Sequence, residues 1–178
     1  MNKIASEKIL NIWERDILKN KHLPVFGVGP VYVSCCLILT IIGISIRNTG
    51  FLRQGSLQGV KYIAIIIGIL FILSGLALWV YAVLIQKISL EIKKGSLVTQ
   101  GAYSIVRNPI YSAFFMIFTG SLIMAHNLYL LILPVVFYIS LTILMKVTEE
   151  KWLLGKFGND YKEYCKKTNR IIPWFRRG

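Results

Sequence analysis

The sequence predicts an all-α integral membrane protein: about four transmembrane helices, the last two forming a hairpin, followed by cytosolic interfacial helices. Three observations predict it. First, 55% of the 178 residues are hydrophobic and only 16% are charged, against about 25% charged in an ordinary soluble domain. Second, the apolar residues are continuous. Tyr62 to Ile85 is broken only by Ser74, and Ile110 to Met145 holds no Asp, Glu, Lys or Arg. Runs beyond about 18 such residues read as membrane spans. Third, the net charge of +13 falls on one side. With spans at 28–46, 60–86, 110–125 and 128–145 and both termini cytoplasmic, 18 of the 21 Lys and Arg lie inside and 3 outside, as the positive-inside rule expects. Topology therefore accounts for the charge. No nucleic-acid partner is expected, whereas anionic inner-leaflet lipids are.

The elements follow in order within one membrane domain, 1–178. Residues 1–27 form a polar, cytosolic N-terminus, so the first apolar run is expected to remain a span rather than be cleaved as a signal. Within it Ile9, Ile12, Trp13 and Ile17 share one face of an amphipathic helix over 3–19. Two spans occupy 28–86. The second is long, about 40 Å at helical rise against a core of about 30 Å. In it Ala64 and Gly68 make a small-xxx-small pair, extended by Gly75 and Ala77, which permits close helix packing. The remaining stretch, 87–178, contains the hairpin 110–145 and the C-terminal helices. Two helices of about 16 residues reach only about 24 Å each, so a tight turn is expected at His126-Asn127-Leu128, with His126 solvated. Beyond Met145, Trp152, Leu153, Phe157, Tyr161 and Tyr164 recur at helical spacing among lysines. Gly158 interrupts that helix and Pro173 closes it. Cys35, Cys36 and Cys165 show no pairing or metal-ligand spacing, so no metal is expected.

Two groups of residues exceed what spanning a bilayer requires. Arg107 and Asn108 precede Pro109, which restricts Asn108 to extended geometry and starts the following helix. They therefore sit at a helix N-terminus, where an anion is favoured and Arg107 can add a forked contact. Tyr103 and Tyr111 flank them. Glu149 and Glu150 follow the hairpin, which returns them to the Arg107 end. Carboxylates at a membrane edge are costly unless paired or wet. A helix N-terminus facing two carboxylates suits a zwitterionic ligand. There is no Gly-rich phosphate loop, HExxH, CxxC or nucleophile elbow. Nor is there a chain of buried charges of the kind proton-coupled transporters use.

The order Leu97-Val98-Thr99-x-Gly101-x-Tyr103-x-x-x-Arg107-x-Pro109-x-Tyr111, an uncharged hairpin, Glu149-Glu150-x-x-Leu153-x-x-x-Phe157-Gly158-x-x-Tyr161-x-x-Tyr164, then Arg170-x-x-Pro173 resembles the isoprenylcysteine carboxyl methyltransferase family, itself related to membrane phospholipid methyltransferases. The resemblance covers about residues 86–173. It implies an integral membrane methyltransferase that uses S-adenosylmethionine (SAM), releases S-adenosylhomocysteine, and takes a lipidic or amphipathic substrate from the bilayer. It places cofactor contacts at Gln86, Leu97, Val98, Tyr103, Asn108, Pro109, Tyr111 and Glu149. Three positions depart from the family's pattern. Asn108 stands where His is usual, Gly95 and Ser96 where another His is frequent, and Met145, with Lys146 beside it, where a substrate-facing Arg is usual. Met145 and Lys146 are thus the expected substrate contacts.

Methyl transfer from a sulfonium needs little more than proximity and orientation. Arg107 and Glu150 are the expected catalytic residues, with Glu149 or Glu150 taking a proton where the acceptor is an amine. O-methylation of a carboxylate is favoured, with N- or S-methylation as alternatives. Two other classes compete: an NADPH-dependent sterol- or enone-type reductase, whose relatives end in a similar arrangement but are longer, and a scaffold that has lost its site.

Overall fold

A computed structural model describes residues 29–85 and 96–173. The expected N-terminal helix over 3–19 lies outside these residues, as does Gln86. Among the described residues all regular elements are helical. They are α1 (Gly29–Ile46), α2 (Lys61–Val80, continued by a π turn Tyr81–Ile85), the short α3 (Ala102–Ile105), α4 (Pro109–Met124), α5 (Ile132–Val147) and α6 (Glu149–Lys167). Three segments, Gly29–Ile46, Gln58–Leu84 and Tyr129–Val147, are long and apolar enough to cross a membrane. α4 is apolar but has only 16 residues.

The chain is inside-out relative to a soluble protein. Ile38, Ile41, Ile63, Ile66, Leu70, Leu73 and Ile143 are all exposed, as lipid-facing side chains should be. The interior is small. Tyr32 and Cys36 of α1, Phe118 and Leu122 of α4, and Phe137, Leu141 and Met145 of α5 form one core, which Ile171 caps from the tail. A second cluster joins Leu78 and Ala82 to Ala102, Val106 and Ala113.

The α2–α4 seam rests on small residues, though not on the expected pair. Gly68 and Gly75 are buried at it, whereas Ala64 is only half-buried and Ala77 is exposed. A Cβ on Gly68 would lie 2.6 Å from the Gly120 carbonyl oxygen, and one on Gly75 would lie 2.7 Å from that of Ala113. The small residues repeat every seven positions, at Gly68, Gly75 and Ala82. This keeps one stripe facing a partner along the whole helix; a spacing of four drifts off it.

The hairpin turns where expected. α4 ends at Met124, His126 adopts φ 42°, and Tyr129–Leu131 forms a 3-10 turn leading into α5. The turn is only partly open, however: Leu128 is exposed, His126 is half-buried and Asn127 is buried. Asn127 is buried, its Nδ2 donating to the carbonyls of Leu52 (2.7 Å) and Arg47 (3.3 Å) and its Oδ1 accepting from the Tyr129 N–H (3.0 Å). The Leu57 N–H donates to the His126 carbonyl and the Leu128 N–H to that of Gly55, each at 2.8 Å. Phe51 stacks on Tyr129 at 4.6 Å. His126 is half-buried, its Nδ1 lying 3.1 Å from the Met124 carbonyl. The correction has a simple cause: at the end of a short helix pair the backbone lacks both water and partners, and the 47–60 loop supplies the partners.

Candidate functional site

The other end of the bundle gathers four stretches: the start of α1, residues 101–111, the start of α6, and the strap 168–171 that follows it. Local chemistry sets each in place. Gly101 takes φ 63°, ψ −129°, a region open to glycine and costly for any residue with a Cβ. It reverses the chain into α3. Pro109 occupies the first turn of α4, where its missing N–H costs nothing. The Asn108 carbonyl accepts from both the Ser112 N–H and the Ser112 hydroxyl at 2.9 Å. α6 opens with Glu149 and Glu150 in its first turn, where the helix dipole favours acids. Gly158 breaks α6 at φ 52°.

The strap is stitched to the 106–108 segment. The Arg107 N–H donates to the Asn169 carbonyl (2.8 Å) and the Asn108 side-chain amide to the Arg170 carbonyl (3.1 Å). The Tyr164 hydroxyl donates to the Tyr103 carbonyl at 2.6 Å. Charge reinforces these links. Arg170 forks onto Glu150, Nε to Oε1 at 2.5 Å and Nη2 to Oε2 at 2.8 Å. Arg107 Nη2 reaches Glu150 Oε1 at 3.4 Å, and the Arg107 guanidinium also donates to the Cys165 sulfur. Arg107 Nε is buried without a hydrogen-bond partner among the described residues.

One residue away, Glu149 has a different environment. Its Oε1 accepts from the Tyr111 hydroxyl at 2.7 Å, and among the described residues no Lys or Arg pairs with it. Burial pushes its carboxyl above the ordinary carboxylate range, and the adjacent Glu150 charge adds to that, against the Tyr111 hydrogen bond. Tyr103 is close enough that burial, then the Glu149 charge, holds its phenol neutral well above the usual range.

The structure thus brings together Tyr103, Tyr111 and Glu149 as one group, and Arg107, Glu150 and Arg170 as a second beside it. Asn108 and the buried Pro109 support both from the backbone. Leu97 and Val98 are half-buried in the non-helical stretch before Gly101. Met145 is fully buried in the core between α4 and α5, and Lys146 next to it is exposed. Sequence reasoning missed the Glu150–Arg170 fork, although Arg170 had been noted. It also missed Tyr32, whose ring meets Tyr111 edge-on with centroids 6.4 Å apart. No spacing signal connects residues so far apart in the chain.

A stretch of 76 residues, 42% of this chain, is 29% identical to methanethiol S-methyltransferase 1 of Bradyrhizobium diazoefficiens. It spans 25% of that relative's length. The family model for phospholipid methyltransferases matches residues 60–160, from the second membrane helix through the hairpin into α6. That is more than half of the 178 residues, and it contains the Tyr103–Tyr111 segment and both glutamates. The chain belongs to the phospholipid methyltransferase family.

Proposed function

We propose that the protein transfers a methyl group from SAM to a thiol at the cytoplasmic edge of the membrane, with both termini on that side. The observation supporting the cofactor is Glu149. A half-buried carboxylate whose described partner is a neutral hydroxyl is partly stripped of water at a cost, and a cation relieves that cost. SAM brings a sulfonium and an amine, and aromatic rings beside the carboxylate, here Tyr103 and Tyr111, favour such cations further. The donor set therefore fits the cofactor. Tyr103, Tyr111 and Glu149 would hold it, with Leu97, Val98 and the Asn108-Pro109 backbone behind them. When bound, SAM supplies an electrophilic methyl group on a positively charged sulfur.

The chain's own residues then do three things. The rings of Tyr103 and Tyr111 orient the ligand and exclude water, which strengthens the local electrostatics. Glu149 balances charge and, with its raised carboxyl, is the better proton acceptor of the two acids, since both Glu150 oxygens already accept from guanidinium groups. Arg107 and Arg170 frame the site through Glu150. This commitment is also what favours a thiol. A carboxylate acceptor needs a cation to receive it, and both described arginines at the site are paired with Glu150. Asn108 is neutral, and Lys146 is exposed on the neighbouring helix. An uncharged thiol needs only an apolar approach and somewhere to leave its proton, and the Bradyrhizobium relative is named for acting on one. The exposed lysines of α6 (Lys151, Lys156, Lys162, Lys166 and Lys167) suit an anionic leaflet.

The test uses the full chain in detergent with methyl-labelled SAM and three acceptors: an alkyl thiol, a prenylcysteine carboxylate and an amine-headgroup phospholipid. Label on the thiol sulfur is the expected result. Label on the carboxylate, lost in Lys146→Ala, would replace the thiol reading. A folded sample that binds NADPH but neither SAM nor S-adenosylhomocysteine would overturn the cofactor.

A further inference from the structure

We infer that the first membrane helix is part of this site: Gly29 and Tyr32 of α1 are positioning residues that hold Tyr111 against Glu149. The inference rests on the reading of that pair as a cofactor contact. It concerns a helix outside residues 60–160, which the family match covers.

Gly29 opens α1 and is buried. A Cβ built there would lie 2.8 Å from the Tyr111 hydroxyl oxygen, 3.1 Å from Cε1 and 3.2 Å from Cζ. The backbone of α1 therefore rests directly on the Tyr111 ring, at the end that carries the hydroxyl. Only the missing side chain makes room for the hydroxyl that donates to Glu149 Oε1 at 2.7 Å. Almost one turn along, Tyr32 meets the same ring edge-on at 72°. Tyr32 is itself fixed. It is buried, and its hydroxyl donates to the Phe137 carbonyl of α5 at 2.8 Å.

The contacts form a chain. α5 holds Tyr32, Tyr32 and Gly29 hold Tyr111, and Tyr111 holds Glu149. A phenol hydroxyl reaches a given acceptor only over a narrow range of ring orientations, and α1 supplies two of the surfaces that define that range. A ligand arriving at Glu149 then meets a carboxylate already aimed, so less freedom is lost on binding.

A simple packing role and a positioning role predict different things. Packing alone would make Gly29→Ala less stable and leave affinity unchanged. Positioning makes the effect travel through the Tyr111 hydroxyl. The experiment measures S-adenosylhomocysteine binding by calorimetry on the full detergent-solubilised chain, with thermal melting alongside. The forms compared are wild type, Gly29→Ala, Tyr111→Phe and the double variant. Gly29→Ala is expected to weaken binding about tenfold in the wild-type background. In the Tyr111→Phe background it should weaken it about twofold or less, because the oxygen it strikes is gone; coupling of this order is usual for residues in contact. Tyr32→Phe, which adds no atom and removes the hydroxyl that anchors the ring to Phe137, should weaken binding about threefold. Equal losses in the two backgrounds would overturn the inference, as would unchanged affinity in Gly29→Ala with a lowered melting temperature. If Gly29→Ala does not fold, Tyr32→Phe decides alone, and unchanged affinity there overturns it. Wild type that fails to bind overturns the cofactor reading and this inference with it; wild type that binds with additive variants overturns this inference only.

Discussion

At the turn between α4 and α5, Asn127 is 2% exposed and makes its hydrogen bonds to backbone groups of the 47–57 loop and of Tyr129. At the opposite end of the same bundle, Glu150 is gripped by Arg170 and Arg107 while Glu149, the next residue, has a phenol. One end is closed by the neutral Asn127 side chain, the other by charges shared unevenly: Glu150 takes both guanidiniums, and Glu149 takes none among the described residues. The Asn127 side chain uses both its N–H donors and its oxygen in that closure. The charged end spends one acid on tying the strap to the 106–108 segment and leaves the other half-buried against a phenol. A carboxyl in that setting, with its titration displaced by burial, is a candidate for function. On the proposed function, the contrast between the ends sets where the chemistry would take place, and the contrast between two adjacent glutamates would divide the frame from the binding group.

The sharpest way to break that division is Glu150→Gln. It leaves two largely buried guanidiniums without their carboxylate, a loss that costs about 3 kcal/mol at the low end for buried pairs. The expected result is a lower denaturation midpoint in detergent, with the strap 168–171 losing hydrogen-exchange protection first. Glu149→Gln should do the reverse. Stability at neutral pH should hold or rise slightly, while SAM affinity falls about thirtyfold, the scale of a hydrogen bond to a charged group; calorimetry and melting on one sample read both. If Glu149→Gln unfolds the protein and Glu150→Gln only weakens binding, the assignment is inverted. Asn127→Ala probes the far end. It strands two carbonyls and one N–H, costing about 2 kcal/mol of stability with SAM affinity unchanged; a change in affinity would show that the two ends are coupled.

The smallest effect is a pH dependence. Burial raises the folded Glu149 carboxyl above its unfolded value, so the folded state binds the extra proton. Its contribution to stability is present at low pH and is lost as pH rises through the folded value. Cation binding runs the other way, since it requires the ionised form. SAM affinity should rise with pH through that value, by at most about tenfold per unit. Glu149→Gln should flatten both curves.

The helices were largely legible, because a bilayer demands long apolar runs and punctuates them with charge. The turn at 126–128, the break at Gly158 and the Gly101–Tyr111 segment all had local signatures: absence of charge, glycine, and proline after asparagine. What stayed hidden depends on which element packs against which. Asn127 reads as a surface turn residue until the 47–60 loop covers it. Gly68 belongs to two spacings, and only the facing Gly120 selects the sevenfold one. Arg170 and Glu150 are twenty residues apart, and the kink at Gly158 together with the turn at 168–171 decides that they meet. Gly29 reads as an ordinary small residue of the first span until the start of α4 brings Tyr111 against it.

The glycine seam between α2 and α4 bears on how a hydrophobic acceptor arrives. Two backbones that leave no room for a methyl group at Gly68 and Gly75 make a wall that no lipid tail can part without separating the helices. On the proposed function, an acceptor diffusing laterally in the leaflet would pass around that wall, so its route to Glu149 would be set by where this protein is sealed.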